Sequence, residues 1–257
     1  MEQQLSVKGR VLGAGKPLIC VPVMAEEKAE ILAETKRLLA AKADMIEWRA
    51  DAFARAKEPD AVQNVLAELK PLVKDTILVF TIRTKAQGGL LELPGETLQI
   101  LHEAAAESGA ADFIDVEYFE GKHAEQEIIK LKKMGAHVIA SHHNFQETPA
   151  RAEIRSLLEE MQAGAADVVK LALMPRRMQD VFDLMEETYA FHEEHPNRPL
   201  ITMSMGQMGM LSRVAGEFTG SCVTFGAGAK ASAPGQLAME ELARVLAALH
   251  GGDHGTK

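Results

Sequence analysis

The sequence predicts an α/β protein built as a (β/α)8 TIM barrel, on three observations. Eight short apolar runs, each followed by a longer amphipathic or mixed stretch, recur from end to end of the 257 residues. Most of the runs are rich in Val and Ile and nearly continuous, which is how strands buried on both faces of a parallel sheet read. The length is close to the roughly 250 residues such a barrel occupies. An open doubly wound sheet more often carries a glycine fingerprint after its first strand. Here that strand runs into Met24-Ala25-Glu26-Glu27, with no glycine.

The segment Leu5–Gly15 is expected to form a short N-terminal hairpin capping the barrel bottom, with a turn at Gly13-Ala14-Gly15. Strands are expected at Pro17–Met24, Asp44–Arg49, Thr76–Arg83 and Ala111–Glu117, then at Ala136–His143, Asp167–Leu173, Pro199–Met205 and Ser221–Phe225. Three intervening stretches have the spacing i, i+3, i+4, i+7 that lines one face of a helix packed on a sheet. They are Val62, Val65, Leu66, Leu69; Met178, Val181, Phe182, Met185; and Leu242, Val245, Leu246, Leu249. Ala29–Ala41, Glu96–Ser108, Ala124–Met134 and Pro149–Gln162 are less regular helical stretches. Pro59, Pro94 and Pro149 mark first helical turns, where a missing N–H is tolerated. Residues 1–257 read as one domain without a linker, and Gly251–Lys257 as a frayed tail.

Lys plus Arg total 28 and Asp plus Glu 37, for a net charge of −9 with 5% aromatics, which argues against general nucleic-acid binding. No apolar run reaches the roughly 18 residues of a membrane-spanning helix. The start, Met1-Glu2-Gln3-Gln4, lacks the layout of a signal peptide. Cys20 and Cys222 are too few for a disulfide scaffold or a cysteine-rich zinc site, and are expected as buried, reduced thiols. The expectation is a cytoplasmic protein with no membrane or nucleic-acid partner.

In a barrel of this kind the site lies at the C-terminal ends of the strands. Those ends offer Glu47 and Arg49, whose i, i+2 spacing points them to one side. They also offer Arg83, Glu117, His142, His143 and Lys170, followed by Ser204, Arg213 and the loop Ala231-Ser232-Ala233-Pro234-Gly235-Gln236. Lys170 lies inside the apolar run Asp167–Leu173. It either snorkels its ammonium out at a strand edge or serves as an amine nucleophile. An ordinary lysine, with a pKa of about 10.4, must be made neutral for that chemistry. Burial with Arg49, Arg83 and Arg213 nearby would favour the neutral form, and Glu47 would oppose it.

Alternation sends His142 and His143 to opposite sides, so a paired metal site is not expected, and neither belongs to an HExxH motif. Beside an amine, the inward histidine is a natural proton shuttle. Arg213 follows the glycine-bearing loop Met203–Ser212 and suits a carboxylate held by two parallel hydrogen bonds, or is a surface charge. Met203 and Met205 line a pocket wall or fill core.

Six pieces in order resemble the type I 3-dehydroquinate dehydratases of the shikimate pathway over nearly the full chain. They are Glu47-Trp48-Arg49, Thr81-Ile82-Arg83, Ser141-His142-His143-Asn144-Phe145, Lys170, Met203-Ser204-Met205-Gly206 with Ser212-Arg213, and Ala231–Gln236. The resemblance implies a barrel paired as a homodimer, acting without cofactor on 3-dehydroquinate by syn loss of water through an imine. It implies Lys170 as the imine-forming residue and His143 as the acid/base. It further implies Arg213 as carboxylate ligand with Ser232 and Gln236 on a closing loop, and Glu47, Arg49 and Arg83 holding the ring hydroxyls.

One position departs from the pattern. The family carries a glutamate, thought to orient the histidine, where this chain has Gln87 before Gly88-Gly89. An amide keeps the oxygen and loses the charge, so a His143 of lower pKa and a slower enzyme are expected. Two other readings stay open: a Schiff-base aldolase of the same fold, compatible with Gly226-Ala227-Gly228, and a non-catalytic barrel binding a shikimate-type acid.

Overall fold

The computed structural model describes residues 4–13, 15–120, 123–229 and 232–251. Ala14 of the expected turn and the tail beyond Gly251 lie outside the described residues. The N-terminal hairpin pairs β1 (Ser6–Val7) with β2 (Arg10–Val11), antiparallel, Ser6 opposite Val11. It reverses at Lys8-Gly9, with φ of 48° and 76°, and Gly13 and Gly15 of the expected turn also take positive φ, 85° and 70°. Two successive positive φ angles give the two-residue loop whose twist matches its strands. Gly9 adopts this freely, and Lys8 is held in it by its ammonium. That group donates to the carbonyls of Val73 (2.8 Å) and Thr76 (3.0 Å) and pairs with Asp112 at 2.7 Å.

The hairpin leads into eight parallel strands: β3 (Leu18–Val23), β4 (Met45–Arg49), β5 (Ile77–Thr81), β6 (Phe113–Glu117), β7 (His137–Asn144), β8 (Val168–Leu173), β9 (Leu200–Ser204) and β10 (Val223–Phe225). Their order is β10-β3-β4-β5-β6-β7-β8-β9. The ring closes through a bridge between Leu200 and Ser221, where the Cys222 N–H donates to the Leu200 carbonyl at 2.8 Å. All eight expected strands are present, because runs apolar at successive positions are stable only where both faces are covered.

Alternation along each strand produces two cores. Cys20, Met45, Ile77, Phe113, Ile139, Val168 and Ile201 point inward, where Val7 and Leu12 of the hairpin pack with them and plug the barrel bottom. Val21, Ile46, Leu78, Phe80, Ile114, Val138, Val169 and Leu171 point outward under the helices. Cys20 and Cys222 are free and buried; burial pushes both thiols up, Cys222 to about 12.

The helical layer comprises α1 (Lys28–Ala40), α2 (Pro59–Leu72), α3 (Gly95–Ser108), α4 (Ala124–Lys133), α5 (Arg151–Ala163), α6 (Met178–Glu194), the short α7 (Met210–Val214) and α8 (Gly216–Thr219), and α9 (Met239–Leu249). Pro59 opens α2, whose Val62, Val65, Leu66 and Leu69 are all buried. Pro94 and Pro149 stand outside their helices, Pro94 just ahead of α3 and Pro149 two residues before α5. In α6 the expected stripe holds only at Val181 and, half-buried, Met185. Val181, Leu184, Thr188 and Phe191 face the sheet, whereas Met178 and Phe182 are exposed. The helix carries apolar residues on two adjoining stripes, and on the one that meets β9 the hydroxyls of Thr188 and Thr202 lie 2.8 Å apart. In α9, Leu242 and Leu246 are buried and Leu249 is exposed. No helix among the described residues is long and apolar enough to cross a membrane.

Candidate active site

The parity that fills the barrel bottom with apolar side chains places polar ones at the C-terminal mouth. Lys170 is 3% exposed and points inward. Its Nζ donates to Asp115 Oδ2 at 3.0 Å and Glu47 Oε1 at 3.2 Å, and lies 4.6 Å from the centre of the Phe225 ring. This is no snorkelling lysine. In the β7–β8 register Ser141 sits beside Lys170 and His143 beside Ala172, so His143 stands one pleat nearer the mouth than the amine.

Asp115 is the group that the sequence reading missed. It accepts from Lys170, from Arg83 Nη2 at 2.8 Å and from the Ser141 hydroxyl at 2.6 Å. Burial alone would raise its pKa, but Arg83, then Lys170 and His143, hold it well below the usual carboxylate range. A signal was available, since Asp115 interrupts an apolar strand as Lys170 does and shares the inward parity of Glu117.

Two of the three arginines expected near Lys170 are paired with carboxylates, as buried charges must be. Arg83 also donates to Glu117 at 2.9 Å, and Glu117 is further engaged by the Thr84 N–H and hydroxyl. Arg49 grips Asp51 with two bonds of 2.7 and 2.8 Å. Arg213 differs. Its Nη2 donates to the Pro234 carbonyl at 3.1 Å, Nη1 faces the Met203 sulfur at 3.9 Å, and Nε has no partner among the described residues. With no carboxylate beside it among the described residues, burial draws its pKa down to about 10. A buried guanidinium so placed favours a planar anion that takes two hydrogen bonds.

His143 is oriented by Gln87, whose Oε1 accepts the His143 backbone N–H at 2.8 Å and lies 3.1 Å from Nδ1. Gln87 ends a tight turn, Lys85–Gln87, that folds back because glycine follows. Gly88 has φ +82°, and a Cβ on Gly89 would lie 1.8 Å from the Arg83 carbonyl oxygen. Burial, then Arg83 and Lys170, push the imidazole well below its ordinary value, with Asp115 opposing in part. The ring is therefore neutral near pH 7. His142 points outward against Phe119, ring centres 5.2 Å apart, as alternation requires.

Ser232 and Gln236 bond each other: the Ser232 N–H donates to Gln236 Oε1 at 2.8 Å, and Gln236 Nε2 to the Ser232 hydroxyl at 2.9 Å. Their loop is held across the mouth by the Pro234 carbonyl, which accepts from Arg213 and from the Gly206 N–H. Ala231, quoted in the motif, lies outside the described residues. One pocket is lined by Glu47, Arg49, Arg83, Gln87, His143, Lys170, Met203, Met205, Ser232 and Gln236, with Phe145 and Phe225. Arg213 does not line it, but stands behind Met203 and Pro234. The acidic groups around Lys170 are committed to the chain's own cations.

An amine, an imidazole and arginines gathered at the C-terminal mouth of a (β/α)8 barrel define an enzyme of the barrel class. The family described as Type I 3-dehydroquinase matches residues 19–253. A 3-dehydroquinate dehydratase of Bacillus licheniformis is 42% identical over 97% of this chain and 99% of its own. The crystal structure of the Clostridium difficile type I 3-dehydroquinate dehydratase, solved with covalently modified comenic acid, superposes with a TM-score of 0.93 at 40% identity, covering 97% of this chain and 99% of that one. The Enterococcus faecalis 3-dehydroquinate dehydratase gives 0.88 at 33% identity, over 95% and 98%. The chain belongs to the type I 3-dehydroquinase family.

Proposed function

We propose that this chain removes water from 3-dehydroquinate by syn elimination through an imine on Lys170, giving 3-dehydroshikimate. The observation that carries this reading is the Lys170 amine, buried between Glu47 and Asp115 one pleat below His143. Losing the proton next to a ketone is slow because the charge left behind is poorly stabilised. The amine adds to the carbonyl, and loss of water from the adduct gives a protonated imine, a cationic sink for those electrons. His143 takes the C2 proton to form an enamine. As imidazolium it returns a proton to the departing C1 hydroxyl, and hydrolysis of the imine frees the product. Arg49, Arg83 and Glu47 orient the ring hydroxyls, and Ser232 and Gln236 close the mouth.

Arg213 takes the substrate carboxylate once the Pro234 carbonyl yields its place on Nη2. Arg213→Gln is expected to lose about 1.5–3 kcal/mol of charge-assisted bonding, roughly 10- to 150-fold in kcat/KM and mostly through KM. An unchanged KM would remove Arg213 from the binding site. The chemistry itself is tested by intact-mass analysis after incubation with dehydroquinate and borohydride. A reduced adduct on Lys170 supports the imine; binding without adduct or turnover supports a non-catalytic sensor.

The enzyme works in the cytosol as a homodimer without cofactor. Phe182 and Tyr189 on α6 and Phe218 on α8, which packs against α6, leave exposed apolar surface that a second copy would cover. Light scattering should return twice the chain mass of 27.9 kDa.

A further inference from the structure

The turn after β5 and the loop after β6 meet behind His143. Gln87, 1% exposed, presents its Oε1 to the His143 backbone N–H and to Nδ1, and its Nε2 donates to Glu120 Oε1 at 3.1 Å. This orientation has one solution. A backbone N–H only donates, which assigns the oxygen to the histidine side, and a carboxylate accepts, which assigns the amide nitrogen to the other. Nδ1 then carries the proton and Nε2 keeps its lone pair for the reaction. The chain thus holds a carboxylate one amide away from the imidazole instead of against it.

We infer that Glu120 is a positioning residue for the proton transfer, acting on His143 through the side-chain amide of Gln87. The inference rests on His143 being the acid/base of the proposed reaction. Together with the His143 backbone N–H, Glu120 holds the amide against a flip, which would set its NH2 against two N–H groups. Its charge also polarises the amide toward the imidazolium that forms during turnover. The ring needs that help. Arg83 from the end of β5, Lys170 from β8 and Arg49 from the end of β4 all oppose a positive imidazole, and Asp115 from β6 favours it. His142, on the other side of β7, feels the same Glu120. Glu120 is exposed, so replacing it leaves the barrel packing alone.

Glu120→Gln keeps an acceptor for the amide and removes the charge, whereas Glu120→Ala removes both. In Glu120→Gln the acid limb of the kcat–pH profile should move down by roughly 0.5–1 unit, with a several-fold lower kcat. KM and the yield of borohydride-trapped adduct should stay unchanged. In Glu120→Ala the 15N shifts of the His143 ring should show a smaller share of the Nδ1–H tautomer, since the backbone N–H is then the only group still holding the amide in place. Combining Gln87→Glu with Glu120→Gln should restore kcat and raise the limb above that of the parent. An unmoved limb in both Glu120 variants, with the Nδ1–H tautomer intact in Glu120→Ala, overturns the inference. The nitrogen shifts need no turnover. If the parent chain neither traps nor converts dehydroquinate, the dehydratase reading fails while the tautomer result still decides whether Glu120 orients His143.

Discussion

Replacing Lys170 with alanine should lower kcat/KM for dehydroquinate by about 10⁴-fold or more and abolish the borohydride adduct. Without the amine there is no cationic sink, and His143 alone is worth only about 10²–10⁴ as a general base. The same change strips Glu47 of its cation, leaving it the Thr81 hydroxyl at 3.0 Å, while Asp115 keeps Arg83. Lost activity and lost fold must therefore be separated. Lys170→Arg does this, because a guanidinium keeps a positive charge between the two carboxylates and cannot form the imine. The expected result is a near-parent melting temperature with the same collapse in turnover. Retention of more than about a hundredth of parental activity in Lys170→Arg would show that the chemistry does not pass through this nitrogen.

Asp115→Asn should be the most destabilising single change at the site. It leaves buried Arg83 with Glu117 as its one carboxylate, beside the Ser141 hydroxyl, and Lys170 with Glu47. Breaking a buried pair costs about 3–5 kcal/mol, or roughly 6–20 °C in Tm for a chain of this size. The pH dependence has a definite sign. Asp115 is held well below its unfolded value of about 3.9, so its contribution is complete above that value and is lost as pH falls through the folded one. The stability gap between parent and variant should thus stay flat from pH 8 to about 5 and narrow only in stronger acid. Urea unfolding at pH 7 and pH 3 measures both. A gap that closes between pH 8 and 6 would assign the effect to a histidine.

Much of the site was legible because strand parity is a local property. Once Asp167–Leu173 reads as a strand, Lys170 must share a side with Val168 and Ala172, and the same rule separates His143 from His142. Gln87 stood out only through the resemblance, as an amide where the family carries a glutamate before Gly88-Gly89. Asp115 escaped although it met the same criterion as Lys170, a charge inside an apolar strand. The stripe on α6 was misassigned because a 3.6-residue period marks apolar faces and does not rank two adjoining ones. The reversal at Lys8-Gly9 escaped the sequence because the lysine before Gly9 adopts a positive φ only with three distant partners to hold it.

By itself the sequence determined the eight strands, their parity and hence which side chains reach the mouth, since periodicity and apolar run length are properties of neighbouring residues. Only the closed barrel decided the pairings. Lys170 meets Asp115 across 55 positions, Arg83 is taken up by two carboxylates, Arg213 has none among the described residues, and Gln87 joins His143 to Glu120. The reason is physical. A buried charge settles with whichever partner the ring of strands brings within about 3 Å, and that distance is set by register and stagger between segments far apart in the chain.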